Sequence, residues 1–258
     1  MSLAERRGVV TGGGRGIGAA VARALAQAGA TVLVAARSRL EVEALAAALT
    51  QEGHTAYATR CDVTEPDSVR GLARTAQERL GRVDILVNNA GTASSAPLSK
   101  ITIEEWNRLF AVNATGTLLC TQAFLPQMVE HAWGRVVNIA SIAGLSGDKY
   151  IAAYSAAKHA VVGFTRSAAA ETAGTGVTVN AICPGYVDTP MTDETVRKVS
   201  ARTGKDRDDA LRAVLAHAHQ PRLVTPEEVA TAVVALCGDH AADVSGQAIV
   251  LDAGAGRA

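Results

Sequence analysis

Aromatic side chains are scarce in this 258-residue sequence, in which Phe, Trp and Tyr together make up 3%. So few rings cannot supply the stacking platform that binds single-stranded nucleic acid. An excess of one charge sign is also lacking, because 25 Lys and Arg residues balance 25 Asp and Glu residues. A formal net charge of zero gives no global attraction to nucleic acid or to an anionic membrane. We expect neither as a partner.

Cysteine is sparse, and the four cysteines form no recognisable motif. Cys61, Cys120, Cys183 and Cys237 include no C-x-x-C pair, so the sequence indicates neither a zinc site nor a dithiol redox site. We interpret them as small buried apolar residues of a protein in a reducing compartment. We expect no bound metal.

Long hydrophobic runs are absent as well. No uninterrupted stretch of apolar residues reaches the roughly 18 that predict a membrane span. The first seven residues lack the apolar core of a secretory signal and lead directly into a strand-like segment. The expected location is the cytoplasm.

Apolar residues are nevertheless abundant overall, at 48% of the chain against 19% charged residues. This balance excludes a disordered chain. A chain of this length buries about 70–75% of its unfolded surface, so its core needs neither disulfides nor a metal. α/β domains of about 200–250 residues commonly fold as one unit, and no Pro-, Ser- or Gly-rich linker divides the sequence. We expect residues 1–258 to form a single domain.

Short runs rich in Val and Ile alternate with longer Ala- and Leu-rich stretches along the whole chain. The runs show little polar alternation, which is typical of strands covered on both faces. The predicted strands are 8–11, 31–35, 55–59, 85–87, 135–139, 177–183 and 248–251. The stretches between them have helical spacing, as in Val21, Leu25 and Ala28. Repeated βα units predict an α/β fold with a doubly wound parallel sheet of about seven strands and helices on both faces.

One polar segment interrupts this alternation. Residues 190–221 carry many charged side chains, while Leu211, Val214 and Leu215 are spaced as one face of a short amphipathic helix. The segment follows the carboxyl end of a predicted strand, where such sheets bind their ligands. We interpret it as a lid over a binding site, with a solvated surface excursion as the alternative.

A glycine-rich turn at residues 11–18 follows the first predicted strand and leads into a helix. Its glycines allow the backbone to approach a pyrophosphate, and the helix N-terminus offers free N–H groups to that charge. The Lys-Ser/Thr pair of a P-loop is missing after the last glycine. The position within a βαβ unit favours a dinucleotide site over an ordinary flexible turn.

Five motifs occur along the chain in the order and spacing of one known family. They are T-G-x-x-x-G-x-G at residues 11–18, D-V at 62–63, N-N-A-G at 88–91, Ser141 with Y-x-x-x-K at 154–158, and P-G at 184–185. By these motifs the sequence resembles the short-chain dehydrogenase/reductase family over essentially its whole length. The resemblance implies a Rossmann-type fold and an enzyme that interconverts a ketone and a secondary alcohol with a nicotinamide cofactor.

The candidate catalytic residues are Asn113, Ser141, Tyr154 and Lys158. Tyr154 and Lys158 are four apart in a segment of helical character, so they share one helix face. An ammonium beside a phenol lowers the pKa of the phenol from about 10, which helps it exchange a proton with a carbonyl or alcohol oxygen. Ser141 ends a predicted strand and can hydrogen-bond that oxygen. The resemblance implies that Asn113 kinks its helix and holds a water for Lys158. Taken alone, each residue also has an ordinary role in packing, capping or solvation.

The resemblance also implies which residues contact the cofactor. Those of the glycine-rich turn are Thr11, Gly12, Gly14, Arg15, Gly16, Ile17 and Gly18. The others are Asp62 and Val63 at the adenine, Asn89, Ala90 and Gly91 along the ribose and adenine, the turn Pro184 and Gly185, Val187 and Thr189 at the carboxamide, and Tyr154 and Lys158.

The end of the second predicted strand indicates the choice between the two nicotinamide cofactors. NAD-using relatives carry an acidic residue there, which binds the ribose hydroxyls and repels a 2′-phosphate. That position is Ala36 in this chain. Arg37 follows it and Arg15 lies in the glycine-rich turn, and guanidinium groups match phosphate geometry. We predict a preference for NADP(H), with NAD(H) as the alternative if both arginines are merely solvated.

The substrate is less clearly encoded. The sequence is similar both to 3-hydroxybutyrate dehydrogenases and to ketoreductases of acyl thioesters and polyketides. The former bind a free carboxylate through three polar residues, and this chain has Ala93, Ala143 and Ile151 at those positions. A carboxylate there would be desolvated without donors. The predicted substrate is therefore a 3-oxoacyl thioester or a related apolar ketone. The alternatives are an NAD-dependent hydroxy-acid or secondary-alcohol dehydrogenase and a non-catalytic, cofactor-binding regulatory relative.

The resemblance finally implies a homodimer or homotetramer that pairs through two long helices, predicted at 114–130 and 151–173. Small residues such as Ala152, Ala156 and Ala160 permit close helix contact. They suit packing against the sheet equally well.

Overall fold

The computed structural model describes residues 2–256, and the seven strands in that range form one parallel sheet. The strands are β1 (Arg7–Thr11), β2 (Thr31–Ala36), β3 (Ala56–Arg60), β4 (Ile85–Asn88), β5 (Gly134–Ile139), β6 (Val177–Pro184) and β7 (Ala248–Leu251). Their order is β3-β2-β1-β4-β5-β6-β7, and every neighbouring pair is parallel. The predicted doubly wound, Rossmann-type sheet is confirmed.

Helices cover both faces of the sheet. They are α1 (Gly16–Gln27), α2 (Arg39–Gln51), α3 (Pro66–Leu80), α4 (Ile103–Phe110), α5 (Gly116–Glu130), α6 (Ala152–Glu171), α7 (Pro190–Thr203), α8 (Arg207–His217) and α9 (Pro226–Cys237). The buried side chains of α1, α2 and α9 form one core cluster, and those of α3 and α5 form a second cluster on the opposite face.

The inner strands are rich in apolar residues because successive side chains enter opposite cores. In β2, Val32 and Val34 pack in the cluster of α1, α2 and α9, whereas Leu33 and Ala35 pack in the cluster of α3 and α5. Alternate residues of a strand point to opposite faces of a sheet. A strand buried on both faces therefore shows no polar alternation, which is the pattern in the sequence.

The polar segment after β6 contains two helices where the sequence predicted one. The amphipathic helix expected around Leu211 and Val214 is α8. The additional helix, α7, buries few side chains, so its sequence shows no apolar period. Its charges instead pair along the helix, as Glu194 does with Lys198 one turn further on.

Helices α4 and α5 form one continuous helical stretch, Ile103–Glu130, which a π-helical turn at Ala111–Thr115 interrupts. By length and composition alone this stretch could cross a membrane. Its packing is that of a core helix, because Cys120, Phe124 and Met128 are buried against the sheet.

Candidate active site

The glycine-rich turn between β1 and α1 lies directly against the segment that follows β4. A Cβ added to Gly12, whose φ is +62°, would lie 2.8 Å from the Cα of Ala90. A Cβ on Gly18 would lie 2.3 Å from the carbonyl oxygen of Gly12. Both approaches are shorter than a side chain tolerates, so these two positions require glycine. Gly14, Gly16 and Ile17 are partly exposed at the surface of the turn.

Two of the predicted cofactor residues hold this turn in place. The hydroxyl of Thr11 is buried and accepts hydrogen bonds from the backbone N–H groups of Asn89 and Ala90, at 3.1 and 3.2 Å. The amide of Asn89 donates to the carbonyl oxygens of Thr11 and Gly12, both at 3.0 Å. The side chain of Thr11, which we predicted to be a cofactor contact, therefore joins β1 to the segment after β4.

The arginines predicted to bind a 2′-phosphate lie at the same corner of the sheet. The N–H of Gly13 donates to the carbonyl oxygen of Ala35 at 3.1 Å, which brings the glycine-rich turn against the end of β2. Arg15 and Arg37 follow these two residues and are both exposed. Ala36 supplies no carboxylate at this corner.

The residues after β3, predicted to lie at the adenine, are split between surface and core. Asp62 is partly exposed, and one of its carboxylate oxygens accepts hydrogen bonds from the N–H and hydroxyl of Thr64. Val63 is buried against Gly116, where an added Cβ would lie 2.7 Å from its Cγ2. Gly91, by contrast, is exposed beside the turn.

Ser141, Tyr154 and Lys158 converge at the carboxyl end of β5. The Nζ of Lys158 is buried, donates to the carbonyl oxygen of Ile139 at 2.8 Å and lies 5.9 Å from the centre of the Tyr154 ring. The hydroxyl of Ser141 accepts a hydrogen bond from the N–H of Ala143 at 3.1 Å and is also hydrogen-bonded to Tyr154. The predicted serine, tyrosine and lysine thus face one point.

Burial dominates the ionisation of the tyrosine and the lysine. Burial raises the pKa of Tyr154 to about 12, and the hydrogen bond with Ser141 opposes this rise without cancelling it. Burial lowers the pKa of Lys158 to about 8. The sequence-based expectation that Lys158 lowers the pKa of Tyr154 is therefore not met by the chain's own groups, because desolvation of the phenolate outweighs every favourable contact.

Asn113 lies in the π-helical turn and holds the loop that follows the N-N-A-G motif. Its Oδ1 accepts from the N–H of Thr92 at 3.2 Å, and its Nδ2 donates to the carbonyl oxygens of Thr92 and Leu109, each at 2.9 Å. A Cβ on Gly91 would lie 3.1 Å from Asn113 Oδ1 and 3.6 Å from Lys158 Nζ, so both groups border Gly91. The predicted interruption of the helix at Asn113 is present.

Thr117 was not recognised in the sequence as part of this region. Its hydroxyl donates to the main-chain carbonyl oxygen of Asn113 at 2.8 Å. The sequence spacing could have indicated this bond, because a Thr four positions after another residue in a helix can donate its hydroxyl to that residue's carbonyl oxygen.

Hydrogen bonds join three segments beside this site: the loop after the N-N-A-G motif, the loop that precedes Tyr154, and the segment 190–221. Arg108 donates to the hydroxyl of Thr92 at 3.1 Å, and the N–H of Ala96 donates to the carbonyl oxygen of Tyr150 at 2.8 Å. His217, at the end of α8, lies 2.9 Å from a carboxylate oxygen of Asp148. The lid-like segment 190–221 is thereby tied to the loop that precedes Tyr154.

Gln220, also missed in the sequence, braces the segment that follows β6. Its side-chain amide accepts from the N–H of Tyr186 and donates to the carbonyl oxygen of the same residue, both at 2.8 Å. A Cβ on Gly185 would lie 2.3 Å from the amide oxygen of Gln220, so a side chain at position 185 would displace this brace. Pro184 is buried beside it.

The end of this braced segment adjoins the glycine-rich turn. Val187 is buried and pairs with Val224 as an isolated parallel bridge. Thr189 is the N-cap residue that precedes α7, and its Cγ2 lies 3.3 Å from where a Cβ on Gly16 would stand. Within residues 2–256, no three His, Cys, Asp or Glu side chains come together as a metal site.

Comparison with known proteins finds, over most of the chain, the same family that the sequence motifs indicate. A family model described as short chain dehydrogenase matches residues 7–200. The chain is 41% identical over 256 residues to cis-4-hydroxycyclohexanecarboxylate dehydrogenase of Sinomonas cyclohexanicum, covering 98% of this chain and 97% of the relative. It is 37% identical over 255 residues to 3-oxoacyl-[acyl-carrier-protein] reductase of Synechocystis sp., covering 98% of each. A crystal structure of an actinorhodin polyketide ketoreductase variant with NADPH superimposes with a TM-score of 0.93 at 37% identity, covering 99% of each chain.

Proposed function

Since this chain belongs to the short-chain dehydrogenase/reductase family, a family of nicotinamide-dependent oxidoreductases, we propose that it interconverts an apolar ketone and a secondary alcohol with NADP(H). The observation that carries the proposal is the convergence of Ser141, Tyr154 and Lys158 at the carboxyl end of β5. Ligands of doubly wound sheets bind at that edge.

The chain's own residues supply the proton chemistry of this reaction. When bound, the nicotinamide supplies or accepts the hydride. The hydroxyl of Ser141 donates a hydrogen bond to the substrate oxygen and orients it toward Tyr154. The phenol of Tyr154 gives its proton to that oxygen in reduction and takes it back in oxidation. Lys158 is a buried cation beside Tyr154, and Asn113 holds the loop that closes this part of the site.

A panel of ketones, tested with NADPH and with NADH, examines this proposal. We expect wild-type protein to oxidise NADPH in the presence of at least one apolar ketone. Tyr154→Phe keeps the ring and removes the proton, so kcat should fall at least about 100-fold, the usual scale for a positioned acid. NADPH affinity should stay within about twofold, since no charge is lost. A Tyr154→Phe variant with kcat within threefold of wild type contradicts the assigned role.

The cofactor preference is proposed from the corner formed by Arg15, Ala36 and Arg37. The two exposed guanidinium groups suit a 2′-phosphate, and no carboxylate stands at Ala36 to bind ribose hydroxyls. We expect kcat/KM for NADPH to exceed that for NADH by at least about tenfold, which needs about 1.4 kcal/mol of differential binding. Ala36→Asp combined with Arg37→Ala should reverse the preference. A wild type that uses NADH equally well contradicts this assignment.

The substrate is proposed to be a 3-oxoacyl thioester or a related apolar ketone. Ala93, Ala143 and Ile151 occupy the positions at which carboxylate-binding relatives carry polar side chains, so a free carboxylate finds no donor among them. The 41% identity to a hydroxycyclohexanecarboxylate dehydrogenase favours a cyclic secondary alcohol as the second candidate. The panel therefore includes a 3-oxoacyl thioester, cyclohexanone and 4-oxocyclohexanecarboxylate, and the highest kcat/KM decides between the two.

We further propose that residues 1–258 act as one domain, with the segment 190–221 as its lid, in a cytoplasmic homodimer or homotetramer. The tie of this segment to Asp148 through His217 supports a lid. The cysteines support a reducing compartment, because all four are free and buried.

A further inference from the structure

The side chain of Glu41 lies over the glycine-rich turn. Glu41 is in the first turn of α2, and its N–H is capped by the hydroxyl of Ser38 at 3.4 Å. A Cβ added to Gly14 would lie 2.8 Å from the Cβ of Glu41 and 3.0 Å from its Oε2. The carboxylate therefore stands against the turn at Gly14, immediately before Arg15.

This carboxylate is already paired with one of the two arginines at the corner. The Oε1 of Glu41 lies 3.7 Å from an Nη of Arg15. Arg37 makes no ion pair with any residue in the described part of the chain. The corner thus presents one cation that is free for a ligand and one whose charge is partly neutralised by Glu41.

A phosphate on the adenosine 2′-oxygen and the Glu41 carboxylate are both anions that need the same guanidinium. Arg15 cannot give its full donor capacity to the phosphate while it stays paired with Glu41, and the two anions repel each other at close range. A ribose with a free 2′-hydroxyl carries no such charge, so NAD(H) does not meet this competition.

We propose that Glu41 is a specificity-determining residue that weakens NADP(H) binding by competing with the 2′-phosphate for Arg15. The inference rests on the proposed cofactor site and adds to it the residue that limits its selectivity. Glu41 makes the preference for NADP(H) smaller than the two arginines alone would set, because NAD(H) carries no 2′-phosphate to compete for Arg15.

Titration calorimetry with two cofactor fragments, 2′,5′-ADP and 5′-AMP, which differ only in the 2′-phosphate, tests this role at low ionic strength without catalysis. Glu41→Gln removes the charge and keeps the shape of the side chain. We expect it to bind 2′,5′-ADP at least about threefold more tightly than wild type, the scale of one exposed charge pair. Affinity for 5′-AMP should not change. Added salt should shrink the gain, because it screens exposed charges.

Two further variants test whether Glu41 acts through Arg15. Glu43→Gln is the matched control, because Glu43 lies in the same helix and pairs with Arg39 at 2.7 Å, away from the glycine-rich turn. It should leave both affinities unchanged. In an Arg15→Gln background, Glu41→Gln should lose most of its gain for 2′,5′-ADP, since the shared cation is gone.

The failures of the inference and of the proposed cofactor are distinguishable. A wild type that reduces ketones only with NADH, and binds 2′,5′-ADP no better than 5′-AMP, overturns the cofactor assignment. A wild type that is active with NADPH, but whose affinity for 2′,5′-ADP is unchanged or weakened by Glu41→Gln, overturns the role of Glu41 alone. An equal gain for both fragments, or an undiminished gain without Arg15, overturns it as well.

Discussion

The buried ammonium of Lys158 links the acid–base chemistry of the site to the stability of the fold. Burial lowers the pKa of Lys158 to about 8 from its ordinary value of 10.5. In the unfolded chain the same amine holds its proton up to about pH 10.5, so the unfolded state binds more protons between these two values. The free energy of unfolding therefore rises with pH in that window. Tyr154 has the opposite effect: because burial raises its pKa to about 12, it lowers the free energy of unfolding as pH rises, and it does so only above about pH 10.

We predict that Lys158→Met makes the free energy of unfolding less dependent on pH. Between pH 8 and pH 10 the free energy of unfolding of wild type should increase by about 2 kcal/mol more than that of the variant. Chemical denaturation at the two pH values measures the difference. Lys149→Met, at an exposed position nearby, is the control and should follow wild type. Identical pH slopes for wild type and Lys158→Met would show that Lys158 is not held in a desolvated state.

Single residues were predictable from the sequence where a motif fixes them and not where packing decides. The motif spacing was sufficient to bring Ser141, Tyr154 and Lys158 together. It could not give the pKa of Tyr154, because desolvation depends on what surrounds the ring. Nor could it reveal Glu41, whose contact with Gly14 exists only after α2 packs beside the glycine-rich turn.

Among the helices, the stretch containing Asn113 shows how a local interruption is stabilised. The hydroxyl of Thr117 donates to the carbonyl oxygen of Asn113, and the hydroxyl of Thr121 donates to that of Thr117, each at 2.8 Å. The amide of Asn88, at the end of β4, donates to Thr121 at 3.0 Å. This buried chain of hydrogen bonds connects the π-helical turn to the sheet.

We predict that Thr117 positions Asn113. Thr117→Val keeps the shape and removes the donor, so the π-helical turn should shift and kcat should fall about tenfold, equivalent to about 1.4 kcal/mol. KM for the cofactor should change less than twofold, and Thr117→Ser should restore kcat. These kinetic constants, with the pH profile of kcat, are measured on the folded variants.

Thr172→Val is the matched control for this prediction. Thr172 makes the same type of bond, to the carbonyl oxygen of Ala168 at 2.9 Å, at the far end of α6. Both valine variants should lose about 1 kcal/mol of stability, but only Thr117→Val should lose activity. Equal kcat values in the two variants would show that Thr117 has a structural role only.

The strands and helices were predictable from the sequence to different degrees. All seven strands were predicted to within about one residue at each end. Burial on both faces makes the inner strands rich in Val and Ile, whereas the edge strands β3 and β7 are only partly buried. Helix α7 was not predicted. Its stability depends on Pro190 at the first turn, on Gly204 in the left-handed conformation at its end, and on ion pairs along its length, none of which produces an apolar period.

At the scale of the whole molecule, α5 and α6 leave an outer face of mixed small and apolar residues. Leu118 and Val129 of α5 are each 38% exposed. Gly163 and Ala170 of α6 are exposed, and an added Cβ at Gly163 would meet nothing in the chain. Small residues allow two helices from different copies to approach closely, and this supports the proposed assembly through α5 and α6.

We predict a particle mass of about 53 or about 106 kDa by light scattering, which is two or four times the 26.5 kDa of one chain. Gly163→Glu should shift the mass toward that of a monomer, because it places a charge on the pairing face without a clash inside its own chain. Gly71→Glu in α3 is the control, since that position is equally open. A wild-type mass of about 26.5 kDa refutes the assembly.

The two tryptophans give the chain fluorescent reporters in two different surroundings, one before a strand and one within a helix. Trp133 immediately precedes β5, and the guanidinium groups of Arg6 and Arg135 lie 3.6 and 4.4 Å from the centre of its ring. Trp106 stacks on Phe110 at 4.9 Å within α4, the helix that also holds the loop after the N-N-A-G motif. In a variant that keeps only Trp106, the emission therefore reports on the helix that holds the loop after the N-N-A-G motif, and a variant that keeps only Trp133 provides the reference from the start of β5.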